Sequence, residues 1–153
     1  MNALPRRRTP AKGVHVDPDQ PTLLWVTVCS KDRVEWLAQE RVMRLLHSVW
    51  LKEATAWLVG DYLLMPDHVH FFCGLRDSGF TVERWVAFWK HRFARRHCEE
   101  AWIWQKGSFH HRVRSVQEYR EKWTYMMENP VRKELVSQWE DWRWRGRVHG
   151  LPW

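Results

Sequence analysis

Two histidines separated by one residue, His68 and His70, form the short pattern in this sequence that could most directly do chemistry. Successive side chains of an extended strand point to opposite faces, so these imidazoles share one face, with Cβ atoms roughly 6.5–7 Å apart. Two imidazoles at that separation can converge on one divalent cation. The alternative is a pair of solvent-facing histidines on a half-buried strand, which is favoured for so short a pattern taken alone.

A second candidate group lies near the end of a predicted helix. Tyr125 and Asn129 are four residues apart, and positions i and i+4 lie on one face of a helix. A phenol is a potential nucleophile, and a carboxamide oxygen is a potential ligand of a hard cation. The spacing is common, and Asn129 precedes Pro130, so the asparagine could equally be only the residue at which the helix ends.

The elements that must position these residues predict an α+β fold. Apolar and β-branched runs predict four strands, and 3/4 spacing of apolar residues predicts three helices. In chain order they are a strand at 23–29, a helix at 39–54, strands at 57–65 and 68–75, a helix at 81–98, a strand at 109–114 and a helix at 115–128. This order is that of a ferredoxin-like split β-α-β antiparallel sheet with an added C-terminal helix. Thr81 is an N-cap candidate, and Ser115 with Glu118 has the spacing of a capping box.

Two terminal segments differ in composition from this body. Residues 1–21 are rich in proline, arginine and lysine and predict a flexible basic arm that carries Arg6, Arg7 and Arg8. Residues 22–153 are long enough to form a single domain with its own core. From Trp139 onward the chain is rich in tryptophan and arginine, which predicts an irregular tail packed on the body.

The charge of the chain favours a polyanionic partner. Its formal net charge is +7, and it contains 13 tryptophans. Interleaved arginine and tryptophan is typical of surfaces that contact phosphates and stack on bases, although a basic helix face can also be merely solvated. Besides the three arginines of the arm, the residues expected to contact a nucleic-acid backbone are Arg92, Arg95, Arg96, Arg112 and Arg114.

The remaining composition predicts a cytoplasmic, nucleoid-associated protein. The three cysteines, widely spaced and without a C-x-x-C pair, argue against a disulfide framework or a zinc finger. Met1–Pro10 has no apolar segment of the kind found in secretory signals. No apolar run approaches the roughly 20 residues of a membrane span, so no membrane partner is expected.

Two longer motifs resemble those of the His-hydrophobic-His (HUH) single-tyrosine transposases. Residues 64–71 (LMPDHVHF) are similar to the histidine motif of that family, and residues 125–132 (YMMENPVR), followed by Leu135 and Val136, are similar to its tyrosine-helix motif. The branch that the chain resembles is the REP-associated tyrosine transposases, whose pattern is also similar at residues 104–107 (WQKG) and 114–123. The chain departs from the family at Lys133 and Glu134, where alanine and glycine are usual.

This resemblance implies an HUH palm in which His68, His70 and Asn129 bind Mg²⁺ or Mn²⁺. It implies that Tyr125 attacks a phosphodiester of single-stranded DNA at hairpin-flanked (palindromic) repeats and leaves a 5′-phosphotyrosine. The protein would then be a transposase that nicks and rejoins DNA. The choice between monomer and homodimer, and between tyrosine attack in cis or in trans, stays open.

Two other functions compete with this hypothesis. One is a catalytically inactive, domesticated binder of structured single-stranded DNA or RNA, which would have no use for all four candidate site residues together. The other is a small protein stabilised by zinc through His68, His70, His110 and His111, which the absence of a cysteine ligand pattern disfavours. Asp67 is expected to be a turn residue, with the orienting of a histidine as the alternative.

Overall fold

The computed structural model describes residues 22–152, which build a five-stranded antiparallel sheet with the order β4-β1-β3-β2-β5. The strands are β1 (Leu23–Cys29), β2 (Trp57–Met65), β3 (His68–Leu75), β4 (Phe109–Val113) and β5 (Arg145–Arg147). The helices are α1 (Glu40–Lys52), α2 (Val82–Ala94), α3 (Val116–Met127) and α4 (Asn129–Arg132). The order of the first four strands is ferredoxin-like, so the predicted fold class is confirmed. The arm with Arg6, Arg7 and Arg8 lies outside the described residues.

One face of the sheet is covered by α1 and α2. Apolar side chains at every second position of β3, namely Val69, Phe71 and Cys73, point into this layer and are buried there, as the alternation predicts. Trp50 of α1 and Trp89 of α2 meet at the centre of the same cluster, with ring centroids 5.4 Å apart. Much of the tryptophan content therefore serves the core.

The other face of the sheet carries α3, α4 and the C-terminal segment. Its buried cluster includes Trp25 and Phe72 from the sheet, Met126 and Met127 from α3, and Trp142 from the C-terminal segment. Because His68 and His70 alternate with the residues that face α1 and α2, both imidazoles point to this second face. Among the described residues, no helix is long and apolar enough to cross a membrane.

A β-bulge in β2 creates a polar anchor for α3. Val59 pairs with Cys73 and Tyr62 pairs with Phe71, so two residues of β2 stand opposite one of β3. The extra residue lets Val59 and Tyr62 both face the core and turns Asp61 toward α3. Asp61 is buried and accepts hydrogen bonds from three side chains. These are Tyr119 Oη at 3.3 Å, Trp123 Nε1 at 3.0 Å and Arg147 Nε at 2.7 Å.

The prediction that the C-terminal tail is irregular is wrong for three residues. Arg145–Arg147 form β5, which extends the sheet along the outer edge of β2. This edge would otherwise leave backbone donors and acceptors unpaired. Gly146 allows the close approach, because a Cβ at that position would lie 2.7 Å from Tyr62 Oη.

The predicted helix caps are confirmed with one difference. Thr81 Oγ1 accepts a hydrogen bond from the backbone N–H of Arg84, and Ser115 Oγ accepts one from that of Glu118. The carboxylate of Glu118 bonds to the N–H of Arg114 at 2.7 Å, one residue before the N-cap. The reciprocal half of the predicted capping box is therefore shifted by one position.

Candidate active site

The imidazoles of His68 and His70 converge through one ring nitrogen each. Their Nε2 atoms lie 3.2 Å apart, and the two residues are only 7% and 6% exposed. The strand geometry that the sequence predicts therefore brings both rings together beneath the surface. They do not form a solvent-facing pair.

The other nitrogen of each ring has its own partner. Asp67 Oδ1 lies 2.8 Å from His68 Nδ1, and Thr27 Oγ1 lies 2.8 Å from His70 Nδ1. When Nδ1 of each ring donates its proton to that oxygen, both Nε2 atoms present lone pairs to the same point, as metal-ligating histidines do. Asp67 thus orients a histidine, and the expectation that it serves only the turn is wrong. Its place in the tight turn between β2 and β3 lets its carboxylate fold back onto the next residue.

Burial disfavours the protonated form of both histidines. It lowers the pKa of His68, against the opposing effect of the Asp67 carboxylate, and it lowers the pKa of His70 well below its ordinary value. Burial also opposes the ionisation of Asp67, but hydrogen bonds from Arg33 and His68 outweigh it and hold the pKa of this carboxyl below its usual range. Neutral imidazole is the form that binds a cation, so the electrostatics of this pair fit a metal ligand set.

Asn129 reaches the histidine pair through an interruption of the helix. α3 ends at Met127, and Asn129 begins the separate short helix α4, with Pro130 in its first turn. The predicted end of the helix near Asn129, before Pro130, is therefore confirmed. The asparagine is buried, and its Nδ2 lies 3.5 Å from His68 Nε2. Rotation of the carboxamide about χ2 brings its oxygen to the same position, where it can serve as a ligand.

The donor set fits a cation with open coordination positions. The described residues hold no group of three or more His, Cys, Asp and Glu placed to bind a metal ion, so within this part of the chain a third donor for the histidine pair must be of another kind. Asn129 supplies such a donor. Two imidazoles and one amide leave room for substrate and water, which distinguishes this arrangement from a closed structural zinc site.

Tyr125 stands at the surface directly beside the histidine pair of its own chain. Its side chain is 47% exposed, and its ring centroid lies 6.4 Å from that of His70. The guanidinium of Arg132 lies 3.9 Å above the phenol ring and donates to the Tyr125 backbone carbonyl at 2.5 Å. The tyrosine is thus held by its backbone and ring while nearly half of the residue stays exposed.

Several residues of this site are missing from the sequence-based prediction. Trp25 stacks on His70 with ring centroids 4.8 Å apart and meets Tyr125 edge-on at 5.9 Å. The sequence signal that could have identified Trp25 is its position on β1. It lies two residues before Thr27, so both side chains are on the face of the sheet that carries His70. Arg33, Arg132 and Lys133 lie close enough to depress the pKa of one or both histidines electrostatically, and such a cluster of cations suits an anionic ligand.

Among solved structures, the chain is similar to one described as a REP-associated tyrosine transposase bound to a REP hairpin. The TM-score is 0.70, and the match covers 81% of this chain and 75% of that one at 21% sequence identity. The fold is that of a REP-associated tyrosine transposase. No family model matches the sequence, and no curated protein matches it.

The structure places the other predicted residues away from the histidine pair. Arg92 and Arg96 form ion pairs with Glu53 in the layer of α1 and α2, Arg95 caps the end of α2, and Arg112 and Arg114 lie in and just after β4. Their contact with DNA stays a prediction.

The four-histidine zinc site is contradicted by where the side chains of β4 point. His110 approaches Glu83 of α2, with 3.6 Å between His110 Nε2 and Glu83 Oε2, whereas His111 bonds to Glu118 of α3. The two histidines thus face opposite sides of the sheet and cannot share one ion with His68. Tyr119 packs on Phe72 of the sheet, with ring centroids 4.4 Å apart.

Proposed function

We propose that this protein is an HUH single-tyrosine transposase of the REP-associated branch, a metal-dependent endonuclease and strand transferase for single-stranded DNA. The observation that carries the proposal is the convergence of His68 Nε2, His70 Nε2 and the Asn129 carboxamide beside the exposed Tyr125 of the same chain. A purely structural histidine pair would not need an accessible phenol at its side. The shared fold and the two sequence motifs support the same conclusion.

In this proposal His68, His70 and Asn129 hold Mn²⁺ or Mg²⁺. When bound, such an ion would act as a Lewis acid toward the scissile phosphate and would offset the charge that develops during displacement. Asp67 and Thr27 fix the two ring orientations through Nδ1. Since imidazole is a softer donor than carboxylate, Mn²⁺ is expected to bind more tightly than Mg²⁺.

Tyr125 is the nucleophile of the proposed reaction. Its Oη attacks the phosphorus, the bond from phosphorus to the 3′-oxygen breaks, the phenol loses its proton and the departing 3′-oxygen gains one. The products are a 5′-phosphotyrosine and a free 3′-hydroxyl. Because one phosphodiester replaces another, the reverse reaction can join a strand without an external energy source.

The proposed substrate is single-stranded DNA that contains hairpin repeats. The similar structure is bound to a REP hairpin, and the net charge of +7 favours a polyanion. The cations Arg33, Arg132 and Lys133 beside the histidines are suited to attract the scissile phosphate. Because Tyr125 lies next to the histidines of its own chain, we propose attack in cis, so that a monomer is sufficient for cleavage.

The test is covalent capture of labelled DNA. Hairpin DNA with a radiolabel on the strand 3′ of the cleavage position is incubated with the protein and Mn²⁺ and resolved on a denaturing protein gel. We expect a labelled protein band that disappears with EDTA and with Tyr125→Phe. Tyr119→Phe, which removes a phenol hydroxyl bonded to Asp61, is the matched control and should keep the band. DNA that binds in a native gel but never becomes covalent would indicate the inactive binder, and a band that survives Tyr125→Phe would refute the assigned nucleophile.

A further inference from the structure

The sheet face that carries the histidine pair has an opening beside it. All residues of β1 are buried except Thr27, which is half-buried. α3 covers the part of this face around Leu23 and Trp25, and Thr27 lies beyond that cover. The side chain of Thr27 touches His70 Nδ1 at 2.8 Å, so the opening adjoins the proposed metal ligands directly.

An exposed aromatic ring borders this opening. Phe109 pairs with Thr27 across the β1–β4 ladder and is 42% exposed. In the same strand Val113 is buried in the cluster beneath α3, and His111 bonds to Glu118 of α3. Alternation along β4 therefore puts Phe109 on the face of the histidine pair.

Phe109, Thr27 and His70 lie in one row across three neighbouring strands. Adjacent strands are about 4.8 Å apart, so the backbones at Phe109 and His70 are separated by about 10 Å. That is the reach of one nucleotide from a phosphate held at the histidines. An exposed apolar ring at this distance from the histidine pair fits a ligand with an anionic end and a flat face.

We propose that Phe109 is a stacking platform for an unpaired nucleobase next to the scissile phosphate, with Thr27 as the floor of the subsite. The inference rests on the proposed function and narrows its substrate to hairpin DNA with an unpaired flank at the cleavage position. Every base has a π-face, so the platform tolerates different sequences and favours single strands over duplex, in which the base faces are already stacked. Because Phe109 is exposed, its replacement leaves the core unchanged.

The experiment measures affinity without cleavage. Fluorescein-labelled hairpin DNA with a single-stranded flank is titrated, in Mn²⁺, with Tyr125→Phe protein and with the same protein carrying Phe109→Ala. Stacking contributes about 1–3 kcal/mol per base, so we expect Phe109→Ala to raise Kd about 5- to 140-fold. Phe109→Trp should retain the affinity. The matched control is Phe88→Ala, since Phe88 is 44% exposed on α2, on the opposite side of the sheet, and it should leave Kd unchanged.

Abasic substitutions in the flank identify the stacked base. At one flank position, removal of the base should weaken binding to the Tyr125→Phe protein that retains Phe109. For that abasic DNA, Phe109→Ala should cause no further rise in Kd, because both changes remove the same contact. Two results would overturn the inference. One is an unchanged Kd for Phe109→Ala. The other is that Phe109→Ala raises Kd by the same factor for intact DNA and for each DNA with an abasic site in the flank, whichever position is abasic. If covalent capture is normal but no abasic position cancels the effect of Phe109→Ala on Kd, the stacking platform alone is refuted. If one abasic position does cancel that effect but no covalent band forms, the stacking platform is supported and the proposed catalysis is refuted.

Discussion

Asp61→Asn tests whether the buried carboxylate of Asp61 holds α3, the helix that carries Tyr125, to the sheet. The substitution keeps the shape of the side chain, removes its charge and turns one acceptor oxygen into a donor. Its partners are Trp123 Nε1, Tyr119 Oη and the guanidinium of Arg147. The less costly orientation of the new amide keeps its oxygen toward Trp123 and Tyr119 and places its NH₂ against Arg147.

The expected loss of stability follows from these three contacts. Hydrogen bonds to a charged acceptor contribute roughly 1 kcal/mol more than bonds to a neutral one, so Trp123 and Tyr119 together lose about 2 kcal/mol. The Arg147 side chain is 65% exposed, and an ion pair of that exposure is worth about 1 kcal/mol. We therefore expect Asp61→Asn to lower the free energy of unfolding by about 3 kcal/mol, which corresponds to a fall in Tm of about 6–12 °C for a domain of this size.

Urea denaturation followed by circular dichroism measures this loss. Arg147→Gln should cost only about 1 kcal/mol, and it should add little in the Asp61→Asn background because the two changes remove a shared contact. Asp141→Asn, at an exposed aspartate, is the matched control and should stay within about 0.5 kcal/mol of the unsubstituted protein. If Asp61→Asn also stays within that range, or if Arg147→Gln costs as much as Asp61→Asn, the reasoning about the anchor is refuted.

Three further predictions concern the proposed metal ligands, the chain that supplies the proposed nucleophile, and the phenols of Tyr62 and Tyr119. Asp67→Ala removes the partner of His68 Nδ1 and should weaken Mn²⁺ binding about 10- to 100-fold by isothermal titration calorimetry. A mixture of Tyr125→Phe and His70→Ala proteins should form no covalent DNA adduct in the gel assay, because in the proposed cis attack the tyrosine and the histidines must belong to one chain. Burial raises the pKa of Tyr62 and of Tyr119 to about 12, so the folded state retains protons that the unfolded state releases. The free energy of unfolding, measured by denaturation at successive pH values, should therefore be unaffected by these phenols below about pH 10 and should fall as pH rises toward 12.

Each of these expectations has a contradicting result. Unchanged Mn²⁺ affinity in Asp67→Ala would mean that the carboxylate does not support the ligand. Recovery of the adduct in the mixture would establish attack in trans between two chains. A pH dependence above pH 10 that persists unaltered in Tyr62→Phe would show that ionisation of this phenol is not its cause.

The strand and helix order could be predicted because each element carries its own local signal. Alternation in 68–75 assigned Val69, Phe71 and Cys73 to the core, and the caps at Thr81 and Ser115 marked where helices begin. The bulge at Asp61 and the strand β5 carried no such signal. Both depend on a partner far along the chain, since β5 forms only where the outer edge of β2 is available.

By itself the sequence determined which groups could act, because two imidazoles in a strand must share a face and the motifs around them are local. The tertiary structure decided how these groups meet. It turned both Nε2 atoms to one point through Asp67 and Thr27, placed the Asn129 carboxamide beside His68, and brought Trp25 into contact with both His70 and Tyr125. These contacts join residues as much as 100 positions apart. Their geometry follows from the packing of whole elements, which no local pattern of residues encodes.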